Sequence, residues 1–452
     1  MTDRKNIPAV KSEISFKLPK PDEFLLDNGL RVVFIQKDKL PLVRLNLIVN
    51  AGSKYDPDNK KGLSYLTSLV IDEGADGMNA LQLSDEFDML GSSFSVSTDN
   101  DLINLSLQTL SENFDRSLDL FSKVLLKPSF NDADFDREKK KVITRIMQSK
   151  DEPDYLADQI FNKVMLGKSN NYSFPVSGYE ETVASILPDE IKSYYAKFFS
   201  PSNSSLIVVG DLNKDNLVKL LNKYFSEWKN TTNDFIFSVS SSEPNKKIYL
   251  HHKEGSVQTE IRVGHLTPKR NEKDFFQRYL LNTILGGQFT SRINLNLRER
   301  NGYTYGATSR FQYFKDTAFF EVSTSVGLEN TTNALKEILF ELENIHKGVT
   351  DKEINFAKSS ITKKFPLNFE TYRQIASGVA GKILYNLPDN YFDTYIKNVN
   401  AVSKSEIDEA AKEFIKNDKL SIVLVGDKNL LLQKLAALQI EVAEVDLFGE
   451  VN

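Results

Sequence analysis

Two closely similar apolar segments constrain the fold of this chain more than any other feature. SSLIVVGD lies in the first half and SIVLVGD in the second, and their glycines, Gly210 and Gly426, are 216 residues apart. Ile191 and Ile407, in the predicted helices that precede these segments, have the same separation. Equal offsets over such a length indicate a tandem duplication. The sequence therefore predicts two domains of similar architecture.

Each half has the pattern of an α+β domain. Strand-like and helix-like segments occur without the regular alternation of βαβ folds, so we expect two tandem homologous domains, each a mostly antiparallel sheet with helices packed on one face. TTND and SVSSSEPNKK, within residues 230–247, are polar and linker-like. A chain of 452 residues can form two such cores. We expect the domains to span residues 1–235 and 236–452.

Composition argues against several classes of function. The chain has 57 Lys and Arg against 62 Asp and Glu, a net charge of −5, which disfavours nucleic acid as the main partner. There is no Cys, and therefore neither a disulfide nor a thiolate metal site. No apolar run is long enough for a membrane span, and no secretory signal is visible at the N-terminus. We expect a cytoplasmic protein.

The segment LGGQFTSRINLNLRERNGYTYGA, residues 285–307, combines a helix, a turn and a strand. We expect the turn at Asn301–Gly302 and a strand that begins with Tyr303. This turn would bring Arg298, near the helix end, close to Tyr305, near the strand start. A guanidinium and a phenol held together can bind a carbonyl or an oxyanion. A polar helix face and a Tyr-rich strand would explain the same two residues, so the pattern alone leaves both interpretations open.

The same segment resembles the C-terminal-domain signature of the pitrilysin family of zinc peptidases, or inverzincins, which includes the mitochondrial processing peptidases. DNGLRVVFIQ and LIVNAGSKYDPDNKKGLSYL resemble the opening of a domain of that family. The resemblance covers nearly the whole chain. In that family the Arg and the Tyr reach the catalytic chamber and hold the substrate beside the metal. The resemblance implies these roles for Arg298 and Tyr305.

The zinc motif of that family is His-x-x-Glu-His on a helix, because His at i and i+4 share one face and the Glu polarises the bound water. Tyr65, Ser68 and Leu69 stand at these three positions. Leu cannot ligate zinc, and neutral Tyr and Ser are not usual ligands. Thr144 and Arg145 match the third ligand, a Glu, and an Arg there would repel a cation. The resemblance therefore implies a degenerate zinc site in the first domain.

A count of histidines agrees without any alignment. The chain has four His, and none lies in the first 250 residues. His251 and His252 are adjacent at a predicted strand, so they point to opposite faces and form a poor chelate. We expect no metal and no other cofactor on this chain.

Residues 91–98, GSSFSVST, form a predicted strand of small residues. In active family members the corresponding edge strand pairs with the extended peptide substrate by strand addition. A plain hairpin with residues 102–107 is the simpler interpretation here.

These observations predict a non-catalytic family member that keeps the fold and the Arg298/Tyr305 pair. The family contains two-subunit enzymes in which only one chain carries the zinc motif. The resemblance therefore implies a zinc-bearing partner subunit and a peptide substrate, with metalloendopeptidase activity only in the complex. Two alternatives stay open: a structural scaffold, like the core subunits of respiratory complexes that share this fold, and a homodimeric peptide-binding protein.

Overall fold

A computed structural model of the chain describes residues 16–231 and 246–451. The predicted boundary between residues 235 and 236 lies outside these described residues, as does most of the predicted linker. The strands are β1 Asp22–Leu25, β2 Arg31–Gln36, β3 Leu42–Val49, β4 Ser93–Thr98, β5 Ile103–Leu110, β6 Ser204–Gly210, β7 Lys247–His252, β8 Gln258–Leu266, β9 Ala307–Tyr313, β10 Ala318–Gly327, β11 Ser421–Gly426 and β12 Val442–Val445. A further ladder of two residues on each side joins Gly74–Ala75 to Met78–Asn79.

The helices fall mostly in runs between the strands. In the first domain they are α1 Leu63–Val70, α2 Ala80–Met89, α3 Phe114–Leu126, α4 Asp132–Ser149, α5 Pro153–Leu166, α6 Glu180–Ala184, α7 Pro188–Phe198 and α8 Lys214–Phe225. In the second they are α9 Phe275–Leu285, α10 Arg292–Asn294, α11 Thr331–Asn344, α12 Asp351–Lys364, α13 Tyr372–Leu384, α14 Tyr391–Ala401, α15 Lys404–Phe414 and α16 Lys428–Leu435. None of the helices in residues 16–231 and 246–451 is long and apolar enough to cross a membrane.

Two six-stranded sheets confirm the predicted α+β class with tandem domains. The first sheet has the order β1-β2-β6-β3-β5-β4, and the second, from the corresponding edge, β12-β7-β11-β8-β10-β9. In both, the second and third strands are parallel and the later neighbours are antiparallel. Gly210 and Gly426 end the equivalent strands β6 and β11, as the repeat predicted. The outermost strands β1 and β12 differ, because β1 is antiparallel and β12 parallel to its neighbour.

Each sheet carries the helices of its own domain on one face. In the first domain Phe34, Leu47 and Leu107 face a core that includes Leu118 and Phe198 of the helices. In the second domain Ile261 and Val322 face Leu280, Leu335 and Ile407. Alternate residues of each strand form these contacts, as the pleat requires.

A helix of the other domain covers the second face of each sheet. α5, from the first domain, packs Leu156, Ile160 and Phe161 against Val423 and Val425 of β11. α13, from the second domain, contacts β3 and β6 of the first sheet. The two domains therefore share their cores by a reciprocal exchange of one helix each, which the sequence did not predict.

Hydrogen bonds and ion pairs fix both exchanged helices. Arg262 of β8 is buried, and its guanidinium pairs with the carboxylates of Asp154 and Asp158 on α5. The hydroxyl of Tyr372 on α13 donates to the main-chain oxygens of Lys37 and Leu40 at 3.0 and 3.1 Å. This packing sets the position of one sheet relative to the other.

Candidate functional site

Arg298 lies on a π-helical segment in the second domain. The short helix α10 continues as Leu295–Arg300 with π-helical hydrogen bonding, and the amide of Asn301 donates to the carbonyl of Asn296, five residues back. The predicted helix therefore ends at Arg300, but its last turns are wider than an α-helix. π-Helical turns are rare in proteins overall, and those that occur often lie at functional sites.

Two buried asparagines hold this segment. The side-chain amide of Asn296 donates to Glu341 of α11 at 2.7 Å and accepts from the Asn301 side chain at 2.7 Å. Oδ1 of Asn294 accepts from the amide of Ala307 at 3.0 Å, which ties the helix to the start of β9. The backbone beneath Arg298 is thus fixed on both sides.

The Arg298 side chain is 38% exposed and lies over the ring of Phe289, with 4.5 Å between the guanidinium carbon and the ring centre. Its ionic contact is with the adjacent Glu299, 3.5 Å from Nε to Oε1. Such a contact between exposed side chains contributes little to stability. The guanidinium therefore retains donors for another group.

Tyr305 does not lie on a strand, and that prediction was wrong. β9 begins at Ala307, and Tyr303 and Tyr305 precede it in an irregular segment. The Thr304 hydroxyl donates to the carbonyl of Gly306 at 2.9 Å and accepts from its amide at 3.1 Å. Side-chain bonds of this kind compete with the strand ladder, so pairing with β10 stops at Ala307.

The Tyr305 side chain projects from this segment and is 94% exposed. At the predicted turn the chain bends at Asn301, Gly302 has a φ of +66°, and the amide of Tyr303 donates to the carbonyl of Leu297 at 2.9 Å. A Cβ added at Gly302 or Gly306 would meet no atom within 4 Å. No hydrogen bond joins Tyr305 to Arg298 among the described residues, so their closeness stays a prediction. Arg298 is half-buried and Tyr305 extends into open space.

The degenerate zinc positions lie on α1 and α4 of the first domain. The carboxylate of Asp56 starts α1, because its oxygens accept from the amides of Gly62 and Ser64, both at 2.9 Å. Tyr65 on α1 and Arg145 on α4 meet there: Nη1 of Arg145 donates to the Tyr65 hydroxyl at 2.7 Å. The structure thus brings together two of the degenerate zinc positions that are 80 residues apart in the sequence.

The residues at these positions do not fit zinc. Tyr65 binds a guanidinium, the Ser68 hydroxyl is buried and donates to the carbonyl of Tyr65 at 2.7 Å, and Leu69 packs against the first-domain core. Thr144 bonds back to the carbonyl of Lys140 on its own helix. A cationic side chain at the centre of the group excludes a divalent cation on electrostatic grounds. In residues 16–231 and 246–451 no three His, Cys, Asp or Glu side chains are grouped to hold a metal.

Each of the four histidines is bonded to main chain in the second domain. Nδ1 of His251 pairs with the carbonyl of Val445, and Nδ1 of His252 accepts from the amide of Lys428. Burial lowers the pKa of His265 to about 4. Nε2 of His346 pairs with the carbonyl of Ile415. His251 and His252 thus contact different elements, the end of β12 and the start of α16.

Two family models match most of the chain. The one described as "Insulinase (Peptidase family M16)" matches residues 31–173, and the one described as "Peptidase M16 inactive domain" matches residues 185–361. The matches follow the two halves in order and include both groups of positions described above. They confirm the family resemblance found in the sequence.

Two curated proteins of Helicobacter pylori are similar to the chain. The "Non-peptidase homolog YmxG" is 23% identical over 404 residues, 88% of this chain and 92% of that protein. The "Zinc protease PqqE" is also 23% identical, over 416 residues, 90% of this chain and 93% of that protein. A protein of Pseudomonas fluorescens, whose crystal structure is described as a peptidase M16 inactive domain, is 25% identical. It superposes with a TM-score of 0.84 over 90% of this chain and 98% of its own.

Proposed function

From its membership of peptidase family M16, to which the two matching models assign the chain, we propose that it is the non-catalytic subunit of a two-subunit zinc metallopeptidase. In this proposal Arg298 and Tyr305 hold the carbonyl of a peptide substrate. The zinc lies on a partner subunit of the same family.

The coarser part of this function has direct support. The residues at the zinc positions of the first domain cannot ligate the metal. The second half of the chain matches an inactive domain of the family, and one relative is named a non-peptidase homolog. The chain is therefore a non-catalytic M16-like protein.

The observation that carries the finer proposal is the exposure of Tyr305. A tyrosine that packs in a core or closes a turn buries its ring, whereas this ring is 94% exposed and its hydroxyl has no acceptor in the described residues. Tyrosine is enriched where one molecule contacts another, because it offers a large rigid surface and a polar end. The π-helical turn beneath Arg298 places a guanidinium on the same short segment.

Together these groups suit the carbonyl of a bound peptide. A zinc-bearing partner would supply the activated water. Arg298 can donate two N–H groups and Tyr305 one O–H to an oxygen that becomes negative as the carbonyl is attacked. Such stabilisation requires position and not chain continuity, so the donors can lie on a different subunit from the metal.

The relatives support a partner of this kind. H. pylori has one relative named a zinc protease and another named a non-peptidase homolog, and both align with about nine-tenths of this chain. An organism that keeps both types has the components for a two-subunit enzyme. We expect the organism of this chain to encode a second M16 protein that carries His-x-x-Glu-His.

The test begins with purification of the untagged chain from its own cell and identification of the proteins that accompany it. The complex is then reconstituted with Arg298→Ala or Tyr305→Phe and assayed for peptide cleavage. Loss of one charge-assisted hydrogen bond, about 1.5–3 kcal/mol, should lower kcat/KM roughly ten- to a hundredfold. Arg300→Ala and Tyr303→Phe are the matched controls, because each removes the same group from the same segment, and they should leave cleavage unchanged.

Two results would overturn the proposal. If Arg298→Ala and Tyr305→Phe complexes cleave as fast as the native one, the pair has no role in cleavage and a scaffold is the better description. If the chain accompanies no zinc-bearing M16 protein and purifies as a homodimer, a homodimeric peptide-binding protein replaces the two-subunit enzyme.

A further inference from the structure

The Tyr65–Arg145 pair is more than the remnant of a metal site. The two side chains come from different helices, and the 2.7 Å bond between them fixes the direction of the guanidinium. Tyr65 is half-buried and packs against the first-domain core, whereas Arg145 is exposed. A rigid phenol therefore orients a solvent-facing guanidinium.

Most of the donors of this pair are unused. A guanidinium has five N–H groups, and the bond to Tyr65 is the one that Arg145 makes among the described residues. No carboxylate of the described chain pairs with Arg145, although its helix neighbours Arg137 and Lys141 both pair with Glu138. Because the Tyr65 oxygen accepts from Arg145, its own O–H remains available to donate. Two N–H donors and one O–H donor can thus act on one ligand.

The helix that carries Tyr65 packs against the edge strand of the first sheet. α1, which carries Tyr65, contacts β4, and β4 is the outermost strand of the first sheet. One side of β4 pairs with β5, and the other side presents unpaired main-chain groups. Ser93, Ser95 and Ser97 are exposed along this strand. An extended peptide that adds to such an edge gains main-chain hydrogen bonds, and it would run along the strand that α1 contacts, with Arg145 bonded to Tyr65 of that helix.

We propose that Tyr65 and Arg145 form a carboxylate-binding site that recognises an acidic group of an extended peptide paired with β4. A guanidinium binds a carboxylate through two parallel N–H···O bonds, and the phenol can add a third. The carboxylate could be the C-terminus of the peptide or the side chain of an Asp or Glu. In this chain the position of a hydrolytic metal would then serve to bind peptide and not to cleave it. The site needs neither zinc nor a partner subunit and does not depend on the roles proposed for Arg298 and Tyr305.

Calorimetric titration of the full chain, without any partner, tests this proposal. Three N-acetylated octapeptides of Thr, Val and Ser serve as probes: one with a free C-terminal carboxylate, one amidated, and one amidated with a central Glu. We expect at least one carboxylate peptide to bind about tenfold or more tightly than the neutral one, as a charge-assisted hydrogen bond predicts. Preference for the first identifies a chain terminus, and preference for the third identifies an acidic side chain.

Three substitutions test where the carboxylate peptide binds. Arg145→Gln should abolish the preference for carboxylate, and Tyr65→Phe should reduce it. Arg116→Gln removes another exposed arginine, on α3, and should preserve it. Arg145 is exposed, so we expect the substituted chain to unfold at the wild-type temperature, which circular dichroism can verify. The proposal fails if the three peptides bind equally, if none binds at millimolar concentration, or if Arg145→Gln keeps the preference.

Discussion

Nζ of Lys54, in the loop before α1, lies 2.9 Å from Oδ2 of Asp316, in the turn between β9 and β10, and so joins the two domains. The same ammonium lies 2.9 Å from Oδ1 of Asp101, and the Tyr172 hydroxyl donates to both carboxylates. Lys54 is 1% exposed. Burial alone would lower its pKa, but Asp101 and Asp316 raise it above the ordinary value, so the lysine is charged within the fold.

Lys54→Met should destabilise the chain by about 3–5 kcal/mol, because it leaves two carboxylates without their buried cation. Urea unfolding would measure this. Lys214→Met is the matched control: Lys214 pairs with Asp22 at the surface, and such a pair contributes less than about 1 kcal/mol. Equal effects of the two substitutions would show that the buried cluster does not hold the domains together.

The ion pair between Arg292 and Glu353 predicts a pH dependence. Burial alone would raise the pKa of Glu353, but hydrogen bonds from Arg292 and Thr350 lower it to about 2. The pKa in the unfolded chain is about 4.3. The folded value is the lower one, so the carboxylate stabilises the fold above about pH 4.3, and this contribution is lost as the pH falls toward 2.

Arg292→Met should remove most of this contribution. The free energy of unfolding of the wild type should therefore exceed that of the variant at pH 6, and the difference should shrink between pH 4.5 and pH 3. Urea titrations at several pH values would measure it. A difference that stays constant over this range would contradict the assignment.

Gly286 permits a close approach that any side chain would block. A Cβ there would lie 2.6 Å from the amide nitrogen of Ser309 and 2.7 Å from its Cβ. The same amide donates to the carbonyl of Gly286 at 3.0 Å. Gly286→Ala should therefore push β9 away from α9 and cost about 1–3 kcal/mol.

Gly306→Ala is the control for that substitution, because a Cβ there meets nothing within 4 Å. It should change stability by less than about 0.5 kcal/mol. Thermal unfolding of the two variants decides the matter. A Gly286→Ala chain as stable as the wild type would mean that the loop can relax around the added methyl group.

The contact between Tyr65 and Arg145 predicts that substitutions at these positions can restore a zinc site. The triple variant Tyr65→His, Leu69→His and Arg145→Glu places two imidazoles and a carboxylate at the positions where ligands are expected. We expect about one bound zinc per chain by elemental analysis after dialysis and none in the wild type. The matched control carries Thr144→Glu in place of Arg145→Glu and should bind less, since Thr144 is directed back at its own helix. Equal zinc in both would show that the two positions are equivalent.

The sequence predicted those structural elements that are encoded by nearby residues along the chain. Ile191 and Ile407, which the repeat placed in equivalent helices, are buried on α7 and α15. The repeat offset correctly placed β6 and β11 in equivalent positions. These features follow from spacing along the chain, where patterns of polar and apolar residues are informative.

Other features depend on contacts that spacing does not reveal. The strand expected from Tyr303 fails because Thr304 binds the backbone of Gly306. Apolar periodicity could not distinguish the π-helical turn at Leu295–Arg300 from an α-helix. The bond between Tyr65 and Arg145 joins two helices that only the fold brings together.

One signal of the shared cores was present in the sequence. β6 and β11 are continuous apolar runs and do not alternate, and all their residues are buried. Strands of that kind are covered on both faces. The run shows that a second layer exists, but it does not show which helix supplies that layer.

The exchange of α5 and α13 has a consequence for synthesis of the chain in the cell. α5 emerges from the ribosome long before β11, the strand against which Leu156 and Ile160 pack. At about 5–20 residues per second, its apolar face waits on the order of 10–50 seconds for its binding surface. During that time the nascent first domain exposes the apolar face of α5 to solvent. Binding of this face by a chaperone, or by a second nascent chain on the same messenger RNA, competes with its packing against β11.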